Sequence, residues 1–331
     1  MKTRSLPARL IVVLLLLASF ALAQTATVKR NVYLRRDPST DQPALTKLMP
    51  PATITLIDPD PTGGYYHVQA GSDQGWVWGR NIAIQEGVPS SPQPEPTGAP
   101  ASQIAEDWDK PAPQSNVLHA DEGDCGTSGD GGDTVTNLRK NRIDVPAAYH
   151  AVTWEAVNSL PYPTGAPKSR VNWDPNELAQ IAKYEGEAVS VEGYFYKVKI
   201  ESSSPSASHG GESTNCHFRL ASDVDWHMAL TAHAEDGEDV AIVVETTPRV
   251  RQQHPNWTTA ALKPWTFMIG SHPNASYNAQ RVRISGWLML DPEHQDMIDH
   301  GQRSTLWEIH PVTRIEVQDS TGTWTNLDSV Q

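Results

Sequence analysis

The run Val88-Pro-Ser-Ser-Pro-Gln-Pro-Glu-Pro-Thr-Gly-Ala-Pro100, followed by Pro111 and Pro113, limits this chain more than any other stretch. Proline fixes φ and removes a backbone donor, and large apolar side chains are scarce here, so no packed core can run across it. The sequence is therefore expected to form a small unit over 25–86 and a large one over 117–331. A semi-extended linker over 87–116 would let the two move independently. A length of 331 residues leaves room for both.

Before the linker, short β-prone runs alternate with turn signals. The runs are Ala26–Val28, Val32–Leu34, Thr53–Ile57, Tyr65–Val68 and Gly75–Trp78; the turns include Asp37-Pro38, Pro50-Pro51 and Gly63-Gly64. Five such strands in about 60 residues predict a small barrel. Tyr65, Trp76 and Trp78 are candidate ligand-binding residues, offering aromatic faces to a sugar or peptide; the competing reading places them in the barrel core and its rim.

Asn31-Val-Tyr-Leu-Arg-Arg-Asp-Pro-Ser-Thr40, the later Leu48 and the closing Gly75-Trp-Val-Trp78 resemble the bacterial SH3-like domain of secreted proteins. Pro50-Pro51 departs from that pattern at a turn where the family usually carries glycine. The resemblance implies a binding or spacer module, often associated with cell-wall material such as peptidoglycan, and brings no catalytic residue.

After the linker, Gly123–Asp133 is rich in Gly and Asp but lacks the ligand spacing of a calcium loop. A short helix is expected near Thr153–Leu160. A second opens at Asp174-Pro175 with Glu177 three residues after the cap. The strands expected next are Ala188–Ile200, Phe218–Leu220, Trp226–Leu230, Asp239–Thr246, Arg281–Leu290, Thr305–His310 and Thr313–Val317. Gly193 inside the first of them suggests a sharp bend, and with it an oligonucleotide/oligosaccharide-binding (OB) type barrel. The fold class is thus all-β with short helices: an SH3-like barrel and an OB-like barrel joined by the Pro-rich linker.

Lys140-Asn-Arg142, Thr214-Asn-Cys216, Asp225-Trp-His227, Val243–Arg251, Gly286–His294 and Leu306–Val312 together resemble an uncharacterised bacterial family with a Glu-Ile-His-Pro motif. That resemblance supports a shape and carries no activity.

Imidazoles and carboxylates concentrate on these strands. Asp225 and His227 are two apart and share a strand face; Glu308 and His310 repeat the spacing. Glu245 ends another strand, and His294 follows Asp291 in a turn. If the strands close into a barrel, the groups are expected to converge at one of its ends. Asp225, His227, Glu245, His294, Glu308 and His310 are therefore the candidate ligands for a divalent metal such as zinc, with an open position for water. Asp223 or Glu308 would serve either as a carboxylate that orients a metal ligand or as the general base of a hydrolase. The competing reading is a fully satisfied polar network that fastens loops to the rim, covered by Trp226, Trp257, Trp287 and Trp307. No compact motif such as His-Glu-x-x-His decides between them.

Met1–Ala23 reads as a secretory signal: Lys2, Arg4 and Arg9, an apolar run too short to span a membrane, then Ala21-Leu-Ala23. A periplasmic or secreted protein follows, with no transmembrane segment in the mature chain. Cys125 and Cys216 fit that compartment as a disulfide, with free or metal-bound thiols as the alternative. A net charge of −13 argues against a nucleic-acid surface, although Arg249, Arg251, Arg281, Arg283 and Arg303 would be the track if there were one. The leading expectation is a non-catalytic binding or scaffolding protein of the cell envelope; the alternative is a metal-dependent hydrolase.

Overall fold

A computed structural model describes residues 24–29, 31–39, 44–85, 103–106, 108–163, 165–202 and 210–330. The segment expected to be a secretory signal and most of the Pro-rich stretch lie outside the described residues. The protein is mostly β with short helices.

The first unit has seven strands: β1 (Thr25–Val28), β2 (Val32–Leu34), β3 (Thr46–Leu48), β4 (Thr53–Leu56), β5 (Tyr65–Ala70), β6 (Asp73–Trp78) and β7 (Ile82–Ile84). An antiparallel sheet runs β6-β5-β4-β1-β7, and β2 pairs with β3. β3 and β7 were not expected, since three residues carry too little alternation to read. The core is aliphatic, built from Val28, Leu34, Ile54, Val68 and Val77. The aromatic residues stand around it, with Tyr66 and Trp78 packed on its edge.

The second unit opens with the hairpin β8 (Leu118–Ala120) and β9 (Gly123–Cys125). It continues through α1 (Thr134–Lys140), β10 (His150–Val152), α2 (Trp154–Asn158) and α3 (Pro175–Ala182). Asp133 caps α1, accepting from the amides of Val135 and Thr136, so the Gly/Asp-rich segment ends as a helix cap. Asp174 and Glu177 form the expected capping box on α3.

The barrel follows: β11 (Ala188–Ile200), β12 (Trp226–Thr231), β13 (Ile242–Thr246), β14 (Thr266–Ile269), β15 (His272–Pro273), β16 (Val282–Leu290), β17 (Trp307–Gln318) and β18 (Trp324–Asn326), with the short helix α4 (Pro248–Arg251) after β13. Five strands close a ring in the order β11-β12-β13-β17-β16-β11. All its pairs are antiparallel except β13 with β17. The expected strand at Phe218–Leu220 is absent, and the two expected last strands are one.

Gly193 marks the corner. β11 pairs with β16 up to Gly193 and with β12 from Tyr194 onward. A Cβ at Gly193 would lie 2.5 Å from the Thr231 carbonyl oxygen, so only glycine lets the neighbouring strand approach this closely.

Two expectations about the linker are corrected. Residues 103–116, where described, are packed on the second unit: Ile104 is buried in its core, and Trp108 stacks on His150 with ring centroids 3.7 Å apart. The two units also touch directly, through Asn31 Nδ2 donating to the Asn158 carbonyl (2.7 Å) and Lys47 Nζ donating to the Tyr162 hydroxyl (2.9 Å).

Candidate functional site

Strand alternation decides where the candidate ligands go. Trp226, Met228 and Leu230 on β12, Ile242 and Val244 on β13, and Ile309 on β17 belong to the barrel core. The intervening residues point the other way. His227 therefore lies opposite Glu245 in the β12–β13 register, and Asp225 shares its face two residues earlier. The parallel pairing of Val243 with Glu308 carries Glu245 alongside His310. The groups therefore gather on the outer wall of the barrel rather than at its end.

That wall is not exposed, because α1 and the segments around 116–130 and 210–216 cover it. The Cys125–Cys216 disulfide joins two parts of the cover. Arg249, on α4, stitches the cover to the barrel: it donates to the Asn116, Cys125 and Gly126 carbonyls and to Asn141 Oδ1. A largely buried polar layer thereby lies between two packed surfaces, with His294 and Glu212 at its edge about a quarter exposed.

The layer holds two adjoining triads whose ligand atoms each lie within 4.8 Å of one another: Asp225, Glu245 and His310, and Asp291, His294 and Glu308. In the first, His310 Nε2 stands 3.5 Å from Asp225 Oδ2. Its Nδ1 is 3.7 Å from Glu245 Oε2 and 3.4 Å from Glu308 Oε2. All three residues are at most 2 % exposed. Neither Asp225 oxygen, nor Glu245 Oε2, nor His310 Nε2 has a hydrogen bond of sound geometry among the described residues. His227 Nδ1 holds the other Glu245 oxygen at 2.9 Å.

The second triad is compensated from within. Lys140 Nζ lies 2.7 Å from Asp291 Oδ2 and 3.0 Å from Glu212 Oε2. His294 Nδ1 is 3.0 Å from the same Asp291 oxygen, and Arg303 Nη2 is 2.6 Å from Glu308 Oε1.

The fields follow this division. Burial opposes every charge here. Even so, Lys140 and His294 hold the Asp291 carboxyl well below its ordinary range, and Arg303 leads in bringing Glu308 down to about 2. Asp291 in turn lifts His294 to about 9 and keeps Lys140 well above its ordinary value. Around the first triad, burial pushes Glu245 well up, and neighbouring Glu308 and Glu212 add to it. His310 is raised to about 10 against its burial by Asp225, Glu308 and Glu245, while burial takes His227 down to about 4.

Lys140, Arg303 and Glu212 were missing from the predicted site. Cations on a helix and in loops show no strand spacing by which to find them. Asp223 accepts from the Glu122 amide and caps a turn. Trp226, Trp257 and Trp307 are core residues rather than a cover; only Trp287 lies on the outer wall, under the Arg142 guanidinium at 3.5 Å. The five arginines are engaged within the protein: Arg249 and Arg303 are buried, Arg251 donates to the Thr246, Ser222 and Val224 carbonyls, and Arg281 and Arg283 pair with Glu192.

A separate cleft of about 370 Å³ lies where the units meet. Tyr33, Arg35, Tyr65, Trp78 and Arg80 line it from the first unit, and Asp239, His300 and Arg303 from the second. Tyr65 and Trp78 meet edge to face at 4.8 Å. Trp76 stacks on His67 and does not line the cleft.

No family model, curated protein or solved structure matches the chain. Among the described residues no helix is long and apolar enough to cross a membrane.

Proposed function

We propose that this is an exported, non-catalytic binding protein of the cell envelope, and that the cleft between its units takes wall material. The cleft carries this reading. Half-buried aromatic faces at Tyr65 and Trp78 suit a sugar ring, and the exposed Arg80 guanidinium suits the carboxylates that peptidoglycan bears. The first unit is read as an SH3-like domain, supported by its short strands around an aliphatic core. The second is read as an OB-type barrel, supported by the ring order 1-2-3-5-4-1, its parallel closing pair and the Gly193 corner. A formed disulfide fits a periplasmic or secreted location.

The test is sedimentation of the mature chain with purified peptidoglycan. Tyr65→Ala and Trp78→Ala are expected to weaken binding at least tenfold, and Trp76→Ala to leave it unchanged. Equal binding by all three variants would sink the reading.

A second reading, metal-dependent hydrolysis, draws on a cavity of about 240 Å³ that runs past Arg139, Arg142 and Met289 to His310. Its cationic lining would suit an anionic substrate. The His310 side chain is nevertheless fully buried, whereas a catalytic metal needs a position open to substrate, so binding is the preferred function.

A further inference from the structure

We infer that Asp225, Glu245 and His310 hold one first-row divalent transition-metal ion as a closed, structural site on the outer wall of the barrel. This does not depend on what the cleft binds. Three side chains from three chain segments face one another in a buried layer, with no well-formed hydrogen bond among the described residues at either Asp225 oxygen, Glu245 Oε2 or His310 Nε2. Asp225 and Glu245 meet His310 only as loose ion pairs at 3.5 and 3.7 Å. Buried polar groups without partners are costly, and buried carboxylates are normally paired or bound to metal.

The spacing agrees. Ligands at about 2.1 Å from a tetrahedral metal stand about 3.4 Å apart, and His310 Nε2 is 3.5 Å from Asp225 Oδ2. One ligand atom from each of the three side chains lies within 4.8 Å of the others, and Glu245 Oε2, at 3.7 Å from His310 Nδ1, must turn toward the Nε2 side to join.

The surroundings of His310 supply a second, independent sign. Its Nδ1 faces Glu308 Oε2 at 3.4 Å, and Glu308 is held by Arg303 at 2.6 Å. A metal-binding imidazole commonly gives its other N–H to a carboxylate, which fixes the tautomer and leaves the ligating lone pair free. Here the ligating nitrogen is Nε2, which faces Asp225 Oδ2 at 3.5 Å and would give up its proton on taking a metal. His227 performs the matching service for Glu245, holding its other oxygen.

One imidazole and two carboxylates suit zinc or manganese. Calcium asks for six to eight oxygens and would not be satisfied. The neighbouring Asp291 triad is not a second site, because the Lys140 ammonium already stands between Asp291 and Glu212.

The test uses the untagged mature chain, stripped with chelator, incubated with zinc, manganese or calcium chloride, desalted and analysed for metal. About one zinc or manganese per chain is expected, with a raised unfolding midpoint, and no retained calcium. Asp225→Asn and Glu245→Gln are each expected to weaken binding at least 100-fold, while His294→Gln keeps the full equivalent. Glu308→Gln, a positioning change, should weaken it about 10- to 100-fold yet still saturate. Should one carboxamide variant fail to fold, the other decides. No retained metal in the wild type, or metal kept by the folded carboxamide variants and lost from His294→Gln, overturns the assignment.

Discussion

The two triads are built from the same residue types, share one buried layer and touch through Glu308 and His310. In both the Asp is held down and the His up, but Glu245 is pushed well up where Glu308 is brought down. Asp291 and Glu308 receive their counter-charges from Lys140 on α1 and from Arg303. Asp225 and Glu245 are offered only imidazoles. The contrast shows that a cluster of His and acidic residues says little about metal until the nearest ammonium and guanidinium groups are located.

The sharpest way to break the comparison is Lys140→Met. It leaves Asp291 with His294 as its one cationic partner within 4 Å among the described residues, and removing one partner of a buried pair costs roughly 3–5 kcal/mol, read by urea unfolding. If the loss is under about 1 kcal/mol, Lys140 is not the compensating cation. Replacing both Cys125 and Cys216 by serine opens a loop with a sequence separation of 91 residues. About 2–4 kcal/mol should go with it, and both triads should lose protection from hydrogen exchange together. Asp225→Asn in chelator-stripped protein should cost only about 1 kcal/mol, since its oxygens accept no well-formed hydrogen bond. A loss equal to that of Lys140→Met would erase the distinction between the triads.

A pH-dependent effect lies outside the layer. Burial lowers Lys47, at the contact between units, to about 7 from 10.5. Between those values the unfolded chain binds more protons than the folded one, so this lysine makes stability rise with pH across that window. Comparing the pH slopes of the unfolding midpoint for wild type and Lys47→Met checks it; identical slopes would remove the effect.

Most of the barrel was legible because its strands alternate. β11 was read to the residue, and the pairs Asp225/His227 and Glu308/His310 were correctly placed on common faces. Which face they share was not legible. On β13 all five residues are buried, and on β17 nearly all are, because one side meets the core and the other meets the cover. Burial on both sides erases the difference between inner and outer that alternation normally signals. The cover itself was obscure for a related reason. α1 is two turns long, its cap sits in a Gly/Asp-rich run, and its decisive residue is a lysine, which composition assigns to the surface. Residues 103–116 read as linker because proline content was informative about φ and silent about the contacts made by Ile104 and Trp108.

The outer-wall position of the layer has a consequence for folding fidelity. A strand that pairs one residue out of step exchanges its two faces. On β12, β13 and β17 such a slip would drive His227, Glu245, Glu308 and His310 into the aliphatic interior and turn Trp226, Val244 and Ile309 outward. Few misalignments could be penalised more heavily. The ionic layer thus serves as a checksum on strand pairing, admitting one registration of the ring and rejecting its neighbours before any ligand is met.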